Sequence, residues 1–377
     1  MPAYPDGRKG TLLMKEELKL LKEYEGKNRY AGVPTEQTTG RLHYNENLYG
    51  PSPKCLESLK DLVITDLYQY ESGAHDDLTD KLAEILGVPA ENIFLNNGSA
   101  ENIKSIIGML TAGENKRVIL PDPGWSYYYG LADYKFCETW LYHVREGEDK
   151  CYHDMQELRS LIEEHEPALA VITSPAMPTG NLADPVMVED LVRDFPQTVF
   201  LMDEAYLGFA DYPFDAARLI REYDNIVFSR TFSKYYGLAN LRIGYAFCSS
   251  ALRRVLWLDN PLHRLPHISK RMAIAALNDT AYYDDIGRRT IASRDQLISD
   301  LNEIPDVLAY KSDANFVYIR LIGYDVDKIK AICEENGYLI RIFGGDNEKH
   351  LRITITTDED MPAFKAMLIK AIEESVM

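Results

Sequence analysis

The order of apolar segments predicts an α/β protein: a large, mostly parallel sheet covered by helices, followed by a smaller α/β domain. Short apolar runs at Arg117 to Leu120, Ala168 to Thr173, Thr198 to Met202, Ile226 to Phe228 and Ile243 to Cys248 read as buried strands. Segments of helical spacing, such as Val188 to Phe195, separate them. After about Pro261 the order changes to a long helix through Arg289 to Leu301, strands near Phe316 to Arg320 and Leu351 to Ile355, and a closing helix from Met361 to Glu374. The expected organisation is an arm over residues 1–40, a large domain over 41–260 and a small domain over 261–377. Within the arm, Leu13, Leu20, Leu21 and Tyr24 lie amid charge and predict an amphipathic helix from Leu12 to Tyr24. No internal repeat or low-complexity tract interrupts the pattern.

Composition excludes several function classes. With 46% hydrophobic and 27% charged residues over 377 positions, the chain has the make-up of a soluble globular protein with room for a large core. A formal net charge of -18 is the wrong sign for nucleic acid or anionic membrane surfaces. The N-terminus lacks an apolar signal core and no apolar stretch is long enough to span a bilayer, so a cytoplasmic location is expected. Five cysteines without paired spacing indicate neither a disulfide framework nor a thiolate metal site. His263 and His267 are four apart, but Pro266 lies between them and no carboxylates accompany them, so no metal site is expected. Glycine-rich dinucleotide and phosphate loops, His-Glu-x-x-His and Gly-x-Ser-x-Gly are all absent.

The segment Ser229-Arg230-Thr231-Phe232-Ser233-Lys234 continues to Leu241-Arg242-Ile243-Gly244-Tyr245 and sets one lysine between hydroxyls with an arginine eight positions on. A lysine that forms a Schiff base with an aldehyde needs shielding from solvent, and a phosphate on that aldehyde needs hydroxyl and guanidinium donors. Lys234 is placed for the first task, Ser233 and Arg242 for the second. The apolar run Thr198 to Met202 ends in Asp203, with Tyr206 three residues on. A carboxylate at a buried strand end calls for a cationic partner, and a pyridinium nitrogen is one. Asn96-Asn97-Gly98-Ser99-Ala100 joins a short strand to a helix, which makes either a phosphate seat or an ordinary helix cap. Trp125 follows the strand Arg117 to Leu120, where it either stacks on a flat ring or serves the core.

Taken in order, these motifs resemble the fold-type I pyridoxal-phosphate enzymes, and most closely the histidinol-phosphate aminotransferase branch of the class I/II aminotransferases. Further matches are Leu42-His43-Tyr44-Asn45-Glu46-Asn47-Leu48-Tyr49, with Leu48 where a proline usually stands, and Tyr68-Gln69-Tyr70, Asn315-Phe316-Val317, Leu339-Ile340-Arg341 and Leu351-Arg352-Ile353-Thr354. The resemblance implies an aspartate aminotransferase-like fold and pyridoxal 5'-phosphate as cofactor. Lys234 then carries it, Asp203 pairs with the ring nitrogen, Tyr206 meets the ring oxygen and Trp125 stacks on the ring. Ser99, Ala100, Ser233 and Arg242 hold the phosphate, with Tyr70 reaching that of a neighbouring subunit. The substrate carboxylate falls to Arg352, with Asn45, Tyr49 and Arg264 nearby. Arg341 either binds a second acid or phosphate of the substrate or pairs with a structural carboxylate.

Two departures lie in this set. Ser174-Pro175-Ala176-Met177-Pro178-Thr179-Gly180 puts Met177 where the family has an asparagine that donates to the ring oxygen, and a thioether cannot donate. Leu262-His263-Arg264 replaces the usual proline, aromatic and asparagine. The expected function is amino transfer between an amino acid or amino-alcohol phosphate and a keto acid by a homodimer whose active site is completed across its interface. The alternatives are a decarboxylase resembling threonine-phosphate decarboxylase, a specialised-metabolism enzyme of the same fold, and a non-catalytic protein that holds the cofactor.

Overall fold

In the computed structural model, which describes residues 39–70, 76–256, 265–344 and 349–377, the strands begin with β1 (Gly40–Arg41), β2 (Ile93–Asn96), β3 (Arg117–Asp122), β4 (Glu138–Glu146) and β5 (Cys151–His153). They continue with β6 (Leu169–Thr173), β7 (Val199–Asp203), β8 (Ile226–Thr231) and β9 (Gly244–Cys248), then β10 (Val307–Ala309), β11 (Phe316–Leu321), β12 (Tyr338–Leu339), β13 (Arg341–Gly344) and β14 (Lys349–Thr354). The predicted arm helix and Leu262-His263-Arg264 lie outside the described residues.

Eight strands form one sheet in the order β2-β9-β8-β7-β6-β3-β4-β5. The central pairs from β4 to β8 are parallel, and β9 and β5 join antiparallel. The continuous apolar runs of the sequence become strands buried on every residue, as in β6, β8 and β9. Alternate side chains serve opposite faces. Ile119, Ile172, Phe200, Met202 and Phe228 join one core; Val118, Leu120, Val171, Leu201 and Val227 join the other.

From β3 the chain steps outward to β4 and returns to β6 on the other flank. Strand order therefore reverses between β3 and β6, and such a reversal leaves a crevice beyond the carboxyl ends of the strands. Asn96, Asp122, Thr173, Asp203 and Thr231 all end their strands at this edge.

The second sheet, β10-β11-β14-β13, is antiparallel and amphipathic. Val317, Ile319, Leu351 and Ile353 pack with the helices Thr280–Leu301, Val326–Glu335 and Met361–Glu373, and Leu42 beside β1 joins the same core. The registers place Arg352 opposite Tyr318 and Arg341, and His350 opposite Arg320 and Phe343. One face thus serves a core while the other carries aromatics and cations.

Two elements differ from expectation. The long helix begins at Thr280, a full nine residues before Arg289, because Tyr283, Ile286, Gly287 and Thr290 extend its buried face. The hairpin β4–β5 was not expected, since β4 is polar and exposed along most of its length.

Candidate active site

Lys234 stands three residues past β8, in a turn where the Ser233 N–H donates to Thr231 Oγ1 at 3.1 Å. Its Nζ donates to the carbonyl of Tyr44 at 2.7 Å and lies 5.6 Å from the centre of the Tyr206 ring. Burial lowers the amine from 10.5 to about 8; Arg352 and Arg242 add to this and Glu46 opposes it.

Asp203, at the end of β7, is 5% exposed. The Tyr128 hydroxyl donates to its Oδ2, and the Ala205 N–H donates to Oδ1 at 3.2 Å. Burial raises the carboxyl from 3.8 to about 6 against the pull of these two donors, with a smaller upward push from Glu204. A carboxylate held this way gains from a cation set opposite it. Asn45, in the left-handed region at φ 55, donates from Nδ2 to the Tyr206 hydroxyl at 2.9 Å, and its backbone N–H donates to Thr354 Oγ1 at 3.0 Å.

The anion cradle is built from backbone. Gly98, at φ 80, turns β2 into the helix Ser99–Leu110, whose first N–H groups have no side-chain cap. Arg242 comes alongside, with Nη1 3.5 Å from Ser233 Oγ and Nη2 3.5 Å from the carbonyl of Asn97. A Cβ on Gly98 would fall 2.4 Å from Arg242 Nη2, and one on Gly244 only 2.3 Å from the Gly98 carbonyl carbon. Glycine is what permits both approaches.

Met177, Ala314 and Phe316 form an apolar cluster with Trp125, Tyr206 and Phe343 packed against it, and Tyr206 brings it to Lys234. Arg352 Nη2 donates to the carbonyl of His43 at 2.5 Å, and its guanidinium lies 5.4 Å from the Phe316 ring centre and 5.2 Å from that of Phe343. Arg341 faces the same Phe343 ring at 5.8 Å. Tyr49 is engaged elsewhere: its hydroxyl donates to Asp358 Oδ1 at 3.0 Å, and the Arg289 guanidinium covers its ring at 4.7 Å. Tyr70 is 78% exposed, and Arg264 lies outside the described residues.

Three contributors escaped the sequence reading. Tyr128 is one of three consecutive tyrosines, and sequence alone does not single out the one that meets Asp203. The carbonyl of Tyr44 has no side-chain signature. Asn102 did leave a signal, as a polar residue on the Ile103, Ile106, Ile107 face; it accepts from Asn96 at 2.8 Å and donates to Ser229 Oγ at 3.1 Å, tying the helix start to β8.

The model of the family "Aminotransferase class I and II" matches residues 40–366. The chain belongs to this family. Among curated relatives of this aminotransferase, the histidinol-phosphate aminotransferase of Methanocaldococcus jannaschii is 28% identical over 96% of the chain and 97% of that protein. That of Marinomonas sp. is 31% identical over 89% of the chain and 95% of that protein. Among solved structures, the histidinol-phosphate aminotransferase of Sinorhizobium meliloti, in complex with pyridoxal-5'-phosphate, superposes with a TM-score of 0.77 at 24% identity, covering 92% of this chain and 96% of that one. The chain is therefore a pyridoxal-phosphate-dependent aminotransferase of fold type I. The residues present fit the cofactor: a buried amine of lowered pKa, a buried carboxylate seeking a cation, and an anion cradle that a single Cβ would fill.

Proposed function

We propose that this aminotransferase moves an amino group from an amino-alcohol phosphate or amino acid to a keto acid, with histidinol phosphate as the leading donor. The observation that carries the reading is the pair Arg352 and Arg341, opposite each other on β14 and β13, with Arg352 close enough to Lys234 to lower its pKa. Guanidinium groups suit the carboxylate or phosphate of such substrates. The names of the curated relatives support the same choice.

Pyridoxal phosphate, when bound, supplies an electron sink for the bonds at the amino-bearing carbon. Lys234 is the residue that attaches it and Asp203 the one that faces its ring nitrogen. Ser99, Ala100, Ser233 and Arg242 hold its phosphate, while Trp125 and Met177 line its ring. With the cofactor bound, Lys234 Nζ would take the proton from the substrate's amino-bearing carbon and deliver it to the cofactor-side carbon of the transferred nitrogen rather than back to the same carbon. With a pKa of about 8, about a tenth of this amine is free base at pH 7. Asp203, anchored by Tyr128, keeps a proton on the nitrogen it faces. Tyr206, fixed by Asn45, offers its hydroxyl toward the ring oxygen, a contact that Met177 cannot make.

An exposed apolar face over Leu56, Val63, Ile64, Leu67, Tyr68 and Tyr70 supports a homodimer in which Tyr70 reaches a partner's cofactor phosphate. The proposed large domain over 41–260 holds the strands of the eight-stranded sheet, and the proposed small domain over 261–377 holds those of the four-stranded sheet, with Leu42 packed into the core of the latter. No described helix is long and apolar enough to cross a membrane; a cytoplasmic setting is part of the proposal.

The test is a screen of the holoenzyme against amino acids and L-histidinol phosphate with 2-oxoglutarate as acceptor, measuring glutamate and carbon dioxide together. Glutamate formed from histidinol phosphate supports the reading. Carbon dioxide from a phosphorylated amino acid, with no glutamate, would replace it by the decarboxylase.

A further inference from the structure

Glu146 ends β4 at the margin of the large sheet, and its carboxylate gathers three residues of the small one. Tyr310, just past β10, donates its hydroxyl to Oε2 at 2.5 Å; Arg320 on β11 donates to the same oxygen at 3.4 Å. His350 on β14 brings Nε2 to 2.7 Å from Oε1, without the geometry of a hydrogen bond. His350 is buried and stacked on Tyr318, with ring centres 4.7 Å apart and planes within 3°. Around the carboxylate, Val144 and Cys151 of the hairpin pack against Tyr310, Tyr318 and Phe343. Beyond it the seam continues, with Lys311 N–H donating to the Asp149 carbonyl at 2.8 Å and Lys150 paired with Asp313 at 2.6 Å.

Arg352 is two residues from His350 on the same strand, so both project from the same face. Tyr318 stands opposite Arg352, and Phe343, which touches the Arg352 guanidinium, stands opposite His350. We propose that Glu146 is a positioning residue for substrate recognition: by tying His350, Tyr310 and Arg320 to the edge of the large sheet, it sets the place of Arg352 against the lysine and so governs how the anionic group of the substrate is met. This rests on the reading of Arg352 as the contact for that anion. His350, first, with Tyr310 and Arg320, holds the Glu146 carboxyl below the usual range despite its partial burial, so the tie is charged at neutral pH.

The sign of one effect separates positioning from plain electrostatics. Replacing Glu146 by glutamine removes a negative charge near the arginines, which by Coulomb attraction alone tightens anion binding. Loss of positioning loosens it. The experiment compares wild type, Glu146→Gln, Glu146→Asp and Arg352→Lys as holoenzymes, reading KM and kcat for L-histidinol phosphate, the dissociation constant of maleate as a dicarboxylate probe, and melting temperature. Glu146→Gln is expected to raise KM and the maleate constant about tenfold with kcat within about twofold, and Glu146→Asp, which keeps the charge, to recover part of the loss. Where Glu146→Gln does not fold, Tyr310→Phe removes one donor from the same carboxylate and is expected to give a smaller rise in both constants. Unchanged or tighter binding in the Glu146 variants, while Arg352→Lys weakens it, overturns the positioning role alone. Unchanged binding in Arg352→Lys overturns the reading of Arg352 instead.

Discussion

The two titrating residues at the centre of the site are displaced in opposite senses from their ordinary values, and both displacements have burial as their first cause. Lys234 falls from 10.5 to about 8, so the unfolded chain binds more protons between those values and stability from this group rises with pH across that window. The functional counterpart is that capture of pyridoxal phosphate by the apoenzyme should accelerate with a midpoint near pH 8; a rate still climbing toward pH 10.5 would show an amine with no such environment. Asp203 rises from 3.8 to about 6, so the folded chain binds more protons there and stability falls as pH rises through that window. We expect the melting temperature of apoprotein, relative to Asp203→Asn, to decline between pH 4 and 6, and the decline to vanish once the cofactor's cationic nitrogen is bound. At Met177, which is buried and cannot donate, Met177→Asn should lower the pH midpoint of the cofactor's visible absorbance at unchanged occupancy. Coincident midpoints, or an upward shift, would remove Met177 from any tuning role. The acid was legible because it ends an apolar run, and the lysine because it stands beside hydroxyls with an arginine eight positions on. Their supports were not, because the Tyr128 hydroxyl belongs to one of three consecutive tyrosines on a helix and the Tyr44 carbonyl is a backbone group without a side-chain signal.

At the scale of elements, the cradle depends on two glycines that meet across β2 and β9. Gly244→Ala drives a methyl into the Gly98 backbone, which cannot yield as a flexible side chain does. We expect it to weaken cofactor binding at least tenfold and destabilise the fold by about 1–3 kcal/mol through overpacking, measured by cofactor titration and denaturant unfolding. Gly98→Ala meets the flexible end of Arg242, but at a positive φ, so its main loss should be in phosphate binding. Wild-type affinity in both variants would contradict the cradle. The parallel strands were legible because strands covered on both faces are buried at every position and open on apolar runs, as β6 and β8 do. The hairpin β4–β5 was not, because β4 is exposed along most of its length and its contacts beyond the sheet, with Glu157 and with the small-sheet residues that Glu146 engages, are polar ones.

For the whole molecule, the proposed dimer places exposed Ile64, at 72%, and Leu67, at 60%, in the subunit contact. Ile64→Glu with Leu67→Glu should halve the mass seen by sedimentation and cut activity by 10-fold or more, since such a change buries charge in an apolar contact. A monomeric wild type of full activity would contradict the shared site. The net charge of -18 is the wrong sign for nucleic acid, and the arginine pair concentrates cationic character where the substrate is proposed to bind. The central claim is that this site transfers an amino group to its own cofactor before passing it on. It is tested most directly by mixing holoenzyme with L-histidinol phosphate in the absence of any keto acid and quantifying carbonyl product and carbon dioxide per active site. The account predicts one equivalent of carbonyl product, no carbon dioxide and a cofactor left as the amine; continued turnover without an acceptor, or release of carbon dioxide from any phosphorylated amino acid tried in its place, contradicts it.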